Sequence, residues 1–196
     1  YQSAKLLADI GDISSGVKIK IEKNIPIGAG LGGGSSNAAS TIVALNKLWG
    51  LGLNQNKMLE IAKKIGADVP FFIFGDNAYG NGIGDILESK ESIRDKLLLI
   101  DPKINNSSAE MFELFDNFKQ SNKNTSNYPQ NDFWDVFLEG NKSIREFFTK
   151  INKNHDLNLS GSGSCMFVKY NKREDIEGIL KKIPSNWRFF FCKPLQ

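Results

Sequence analysis

The chain has 196 residues and a net charge of +3, from 25 Lys and Arg against 22 Asp and Glu. That excess is too small to mark a nucleic-acid surface, and no run of about 18 apolar residues offers a membrane span. Two cysteines, Cys165 and Cys192, are too few for a disulfide framework and point to a cytoplasmic protein, while 40% hydrophobic residues suffice for a globular core.

Residues 3–9 read as the end of a helix closed at Gly11, so the chain opens inside an element. Val17, Ile19 and Ile21 alternate with Lys18, Lys20 and Glu22, the period of a strand with one buried face. A loop from Pro26 to Gly34 holds five glycines. It leads into a helix from Ser35 that sets Ala38, Ala39, Ile42, Val43, Leu45 and Trp49 near one face and ends at Gly50 and Gly52. A second helix runs from its cap, Asn54, to about Ile65, and Gly66 stops it. Pro70 precedes an apolar run, residues 78–89 are strand-like between glycines, and Lys96–Ile100 reads as a buried strand. Ser107 and Glu110 have the capping-box spacing and head a helix to about Lys119.

Residues 120–132, rich in Asn and Ser, read as a mobile loop. A helix over 133–151, broken near Gly140, follows. The tail reads strand (LNLS), turn (GSGS), strand (CMFVKY), helix (REDIEGILKKI) and strand (WRFFFC). Helices mixed with strands on short turns predict an α+β fold.

The stretch Pro26–Ser40 carries the most chemistry. Glycines let backbone N–H groups approach a ligand, and the following helix start offers free N–H groups and a dipole to phosphate. Ser35, Ser36 and Asn37 add short polar groups there. A Walker A loop needs a lysine before its Ser or Thr, and none is present. Gly28, Gly30 and Gly33 spell G-x-G-x-x-G, yet no acidic residue stands about 20 residues on, as a dinucleotide fold requires. The catalytic and metal-binding loops of a protein kinase are also missing.

The segment PIGAGLGGGSSNAAS resembles the phosphate loop of the GHMP kinase superfamily, in the form found in its diphosphocytidyl-methylerythritol kinase branch. IGADVPFFIFG (65–75) is similar to the segment with the catalytic aspartate, LSGSGSCMFV (159–168) to the third, Gly-rich motif, and INNSSAEMF (104–112) to the part that reaches the cytidine base. The resemblance implies a two-lobed fold: a ribosomal S5 domain 2-like lobe over 1–94, here partial, and a ferredoxin-like lobe over 95–196. It implies an ATP-dependent kinase acting on an alcohol in isoprenoid precursor synthesis, with Mg²⁺ accompanying the nucleotide. A small-molecule substrate and ATP are then the partners, with no nucleic acid or membrane, and the protein is a monomer or weak homodimer. A different GHMP kinase, of mevalonate or homoserine type, and an inactive nucleotide-binding protein are the alternatives.

On the same resemblance Asp68 is the catalytic residue, accepting the proton of the substrate hydroxyl. Pro26, Gly28, Gly30, Leu31, Gly32, Gly33, Gly34, Ser35, Ser36 and Asn37 hold ATP, with the Ser36 hydroxyl a candidate contact to Mg²⁺. Ser108, Phe112, Gly161, Ser162 and Gly163 meet the substrate, Phe112 by stacking on the base. No cluster of His, Cys and acidic residues suggests a metal centre of the protein's own, and the single histidine, His155, sits in a polar run. The family also carries, before its phosphate loop, a lysine that works beside the aspartate and aromatic and histidine groups for the cytidine. None of the roughly 25 residues ahead of the loop matches them, Lys5 included. The chain is therefore expected to be either part of a longer protein or a degenerate product, and inactive by itself.

Overall fold

The computed structural model describes residues 1–91, 94–121 and 131–194. Residues 122–130, most of the expected Asn- and Ser-rich loop, lie outside the described residues. The chain forms two compact units, one of Tyr1–Asn24 and Gly32–Ile93, the other of Ile25–Leu31 and Arg94–Gln196.

In the first unit, α1 (Gln2–Gly11), α2 (Gly33–Leu48), α3 (Gln55–Lys63) and α4 (Val69–Phe74) pack together, and β1 (Ala78–Asn81) pairs antiparallel with β2 (Ile86–Ser89). Leu7, Ala39, Ile42, Leu45, Ile61, Ala62, Val69 and Ile73 form its core. Ala39, Ile42 and Leu45 recur every three residues, one stripe of α2. Val43, assigned to that face from the sequence, is 47% exposed instead, because α1, α3 and α4 cover only the stripe. α2 begins two residues before the expected Ser35. Asn54 caps α3 as predicted, its side chain accepting the Lys57 N–H at 3.0 Å.

Residues 17–22 depart from expectation. They form no strand, and Val17, Ile19 and Ile21 are 37%, 44% and 54% exposed. Alternation specifies a face, but a strand also needs a ladder partner, and among the described residues this segment has none. It runs beside α2 across an open groove of about 530 Å³ lined by Ser40, Ala44 and Leu48.

The second unit holds β3 (Lys96–Asp101), α5 (Ser108–Gln120), α6 (Trp134–Gly140), α7 (Lys142–Ile151), β4 (Asn158–Leu159), β5 (Met166–Tyr170), a 3₁₀ turn at Arg173–Ile176 running into α8 (Glu177–Leu180), and β6 (Arg188–Cys192). The strands order β4-β5-β3-β6, all antiparallel. That is the β-α-β-β-α-β arrangement of a ferredoxin-like lobe. Leu98, Ile100, Met166 and Val168 share the buried face of the sheet with helix residues Met111, Trp134, Phe137, Ile144, Phe148 and Ile151. Each such side chain contributes roughly 1.5–3 kcal/mol on burial. Ser107 caps α5 as its spacing predicts, accepting the Glu110 N–H at 3.4 Å. The helix expected over 173–183 is shorter and begins as a 3₁₀ turn, where the Asp175 carboxylate accepts the N–H groups of Asn171 and Lys172.

Candidate functional site

The glycine loop serves both units. Its first half, Ile25–Leu31, packs inside the second unit, and α2 starts immediately after it in the first. The Gly28 carbonyl accepts the Asn106 N–H at 2.8 Å, the Ala29 carbonyl the Cys165 N–H at 3.1 Å, and the Gly30 carbonyl the Ser160 hydroxyl at 2.8 Å. A Cβ on Gly30 would lie 1.9 Å from the Ser160 carbonyl oxygen, and Gly30 has φ +71. Glycine is thus required at Gly30 for close passage of two backbones, and not only to clear a ligand path.

In the first unit, Gly32 has φ +62 and precedes α2. A Cβ there would meet the Phe72 ring of α4 at 2.6 Å. The first bond of the α2 ladder runs from the Ser36 N–H to the Gly32 carbonyl at 2.8 Å. The N–H groups of Gly33, Gly34 and Ser35 come before that ladder and face no acceptor within the helix. Gly34 has open space where a Cβ would be. Gly34, Ser35 and Asn37 line an open cleft of about 450 Å³ together with Gly66 and Val69.

Asp68 stands between those last two residues as the N-cap of α4, yet its side chain makes no cap bond. It is exposed and, among the described residues, takes part in no hydrogen bond or ion pair. A carboxylate at a helix start usually caps it. This one is left for something else.

In the second unit the structure brings together Ser108, Ser162, Gly161 and Gly163. The Ser108 and Ser162 hydroxyls are 2.9 Å apart. Asn106 Nδ2 donates to the Ser162 carbonyl at 2.6 Å, and the buried Ser164 hydroxyl donates to the Ile104 carbonyl. Phe112, one helical turn past Ser108 on α5, is 56% exposed and meets Phe133 edge-on at 5.0 Å. Its ring is therefore not a core element, and more than half of the residue is exposed to a ligand. Cys165 beside the turn is chemically quiet. Burial, and after it the Asp101 charge, pushes its thiol up to about 12. Asp101 is itself buried and paired with Arg188, whose Nε lies 2.9 Å from the carboxylate.

Sequence reasoning missed Asn106 and Asn131. Asn131 donates from Nδ2 to the Leu159 carbonyl at 3.1 Å and the Gly161 carbonyl at 2.8 Å. Its signal was an Asn just ahead of an apolar helix, hidden at the end of a polar run.

A sequence model of the GHMP kinases N terminal domain matches residues 1–76. Over 203 residues the chain is 35% identical to a 4-diphosphocytidyl-2-C-methyl-D-erythritol kinase of Francisella philomiragia, covering 100% of this chain and 73% of that protein. The chain belongs to this family of GHMP kinases. The namesake kinase of Methylococcus capsulatus is 32% identical over 192 residues, 95% of this chain and 66% of its own. The chain thus spans about two thirds of the length of the curated relatives it matches. The fold agrees with that of a crystal structure of 4-(cytidine 5'-diphospho)-2C-methyl-D-erythritol kinase. Its TM-score is 0.76 at 24% identity, covering 97% of this chain and 75% of that one. The cleft at the start of α2 and the open Asp68 carboxylate lie within the residues that the N-terminal family model matches.

Proposed function

We infer that the protein transfers the γ-phosphoryl group of ATP to a hydroxyl of 4-diphosphocytidyl-2-C-methyl-D-erythritol, a step toward isoprenoid precursors in the cytoplasm. The observation that carries this reading is Asp68: exposed, uncapping and unpaired, between two residues that line the cleft at the α2 start. Residues 1–94 are taken as a partial N-terminal kinase domain with the ATP phosphate loop and 95–196 as the C-terminal domain, and the protein as a monomer or weak homodimer.

Each residue's role follows from its surroundings. The α2 start, Gly33 to Ser36, offers backbone N–H groups and a helix dipole to phosphate oxygens. Asp68 takes the proton of the substrate hydroxyl. The freed oxygen bonds to the γ-phosphorus as the bond to the β–γ bridging oxygen breaks, and ADP departs. Ser108 and Phe112 offer a hydroxyl and an aromatic face to the cytidine. The Ser36 hydroxyl, like Asp68, has no hydrogen-bond partner among the described residues. Such oxygen donors suit Mg²⁺. When bound with ATP, Mg²⁺ neutralises charge on the β- and γ-phosphates.

The test is an assay of the protein encoded by its whole gene, with ATP, Mg²⁺ and three alcohols: the diphosphocytidyl compound, mevalonate and homoserine. ADP release with the first alone is expected. Release with mevalonate or homoserine instead selects the second reading, a different GHMP kinase. ATP binding without turnover of any alcohol points to an inactive nucleotide-binding protein.

A further inference from the structure

The Gly161–Ser164 turn joins β4 to β5, with the Ser160 N–H bonded to the Cys165 carbonyl at 2.9 Å and the Gly163 N–H to the Ser160 carbonyl at 2.9 Å. Gly161 and Gly163 have φ +54 and +83. The turn's carbonyls are held by side-chain amides on two sides. Asn106 takes Ser162, and Asn131 takes Leu159 and Gly161 together. The N–H groups of Gly161 and Ser162, by contrast, donate to nothing among the described residues. Ser162 is only 8% exposed. Gly161 is exposed and Ser162 buried, so the Ser162 N–H in particular calls for an acceptor, which a ligand oxygen or a water supplies.

Asn131 is itself held. Its Oδ1 accepts the Phe133 N–H at 2.9 Å, and its carbonyl accepts the Trp134 N–H at 3.1 Å. Both bonds tie it to the start of α6, which Trp134 and Phe137, each 1% exposed, fix in the core. The carboxamide therefore has one orientation available. Both Nδ2 hydrogens point at the turn, and the acceptor points at the helix.

We propose that Asn131 is a positioning residue: by occupying the Gly161 carbonyl it fixes the Gly161–Ser162 peptide plane and keeps the Ser162 N–H on its opposite edge turned toward a diphosphate group, beside the Gly161 N–H whose own peptide is held by the Gly163 N–H on the Ser160 carbonyl. The geometry stands on its own; only the identity of the diphosphate, from ATP or from the alcohol substrate, rests on the phosphoryl-transfer reading. A carboxylate at the same position retains the bond to Phe133 but cannot donate, and its charge repels the Leu159 and Gly161 carbonyls.

The experiment uses the protein encoded by the whole gene and pyrophosphate as the probe, with amide resonances read by NMR. In the wild type the Gly161 and Ser162 resonances shift on titration. In Asn131→Asp, which loses some thermal stability but stays folded, pyrophosphate binds about tenfold more weakly, the loss of one well-placed interaction. Should Asn131→Asp fold poorly, Asn131→Ser takes its place, keeping one donor and giving an intermediate affinity. Kinetics then separate the two sources: the variant raises KM for ATP alone, or for the alcohol alone, while kcat holds. Wild-type amides that ignore pyrophosphate, or a folded variant that binds it as the wild type does, overturn the proposal. A wild type that binds pyrophosphate at this turn but phosphorylates no alcohol leaves Asn131 in place and overturns the kinase reading instead.

Discussion

The two halves of the glycine loop use the same residue for opposite ends. Gly28 and Gly30 are filled in: Asn105 and the Ser160 carbonyl occupy the space that their side chains would need. Gly34, four residues on, faces open space at the first turn of a 16-residue helix. Gly28 and Gly30, like Gly32 against the Phe72 ring, are glycine because protein comes too close. Gly34 is glycine where a ligand can come close. A motif written as a row of glycines hides this division, and substitution separates it.

The largest effect is expected at Gly30. In Gly30→Ala the new methyl collides with the Ser160 carbonyl at 1.9 Å and the Gly163 carbonyl at 2.9 Å, in a left-handed conformation. Both obstacles are backbone and cannot swing away. Overpacking and φ strain together predict a loss of roughly 3 kcal/mol or more. That is a large part of the 5–15 kcal/mol typical of a domain. Urea unfolding checks it, and a midpoint equal to the wild type's means that Gly30 belongs with the ligand-facing half.

Asp68→Asn comes next and concerns chemistry, not folding. The side chain caps nothing and pairs with nothing, so the melting temperature should hold. Turnover should fall about 10²–10⁴-fold, the usual contribution of a general base. ATP affinity should stay level or rise slightly, because a negative charge near phosphate is gone. Wild-type kcat in the variant removes Asp68 from the reaction. Joint loss of fold and activity makes it an anchor of the α4 start.

Gly28→Ala is expected to fall between Gly30 and Gly34. Its Cβ meets Asn105 Oδ1 at 1.6 Å, but that atom ends a side chain that can rotate, and the nearest backbone atom, the Asn106 carbonyl oxygen, is 3.3 Å away. What remains is the strain of φ +62, about 1–2 kcal/mol. Thermal unfolding that places Gly28→Ala beside Gly30→Ala would show Asn105 to be locked.

Local rules were legible in the sequence, and partnerships were not. Ser107 and Asn54 cap their helices because capping depends on residues within one turn. Lys96–Ile100 is a strand with neighbours on both sides, and its apolar run announced burial on a sheet. Residues 17–22 had the clearer alternation and form no strand, since period alone cannot supply a neighbour. The Gly-Ser turn was readable as a turn. The amides that hold it come from residues 106 and 131, distant in sequence from the turn. Asp68 and Phe112 were named by resemblance, and their exposure is something neither composition nor spacing could give.

The smallest effect on stability is expected at Gly34, and it decides the most about the loop. Nothing lies within 4 Å of a Cβ there, and the residue already has helical geometry, so Gly34→Ala meets neither collision nor strain. Alanine is the better helix former by up to about 1 kcal/mol, less at a first turn, so unfolding should move slightly toward greater stability. The same methyl projects where phosphate oxygens must come to reach the Gly33, Gly34 and Ser35 N–H groups. ATP affinity, measured by calorimetry on the protein encoded by the whole gene, should weaken about tenfold, equivalent to about 1.4 kcal/mol. A protein that is more stable and binds ATP less well separates the two halves of the loop cleanly. If ATP binds Gly34→Ala as tightly as the wild type, the phosphates do not lie on the first turn of α2. The openness at Gly34 would then be a consequence of helix geometry alone.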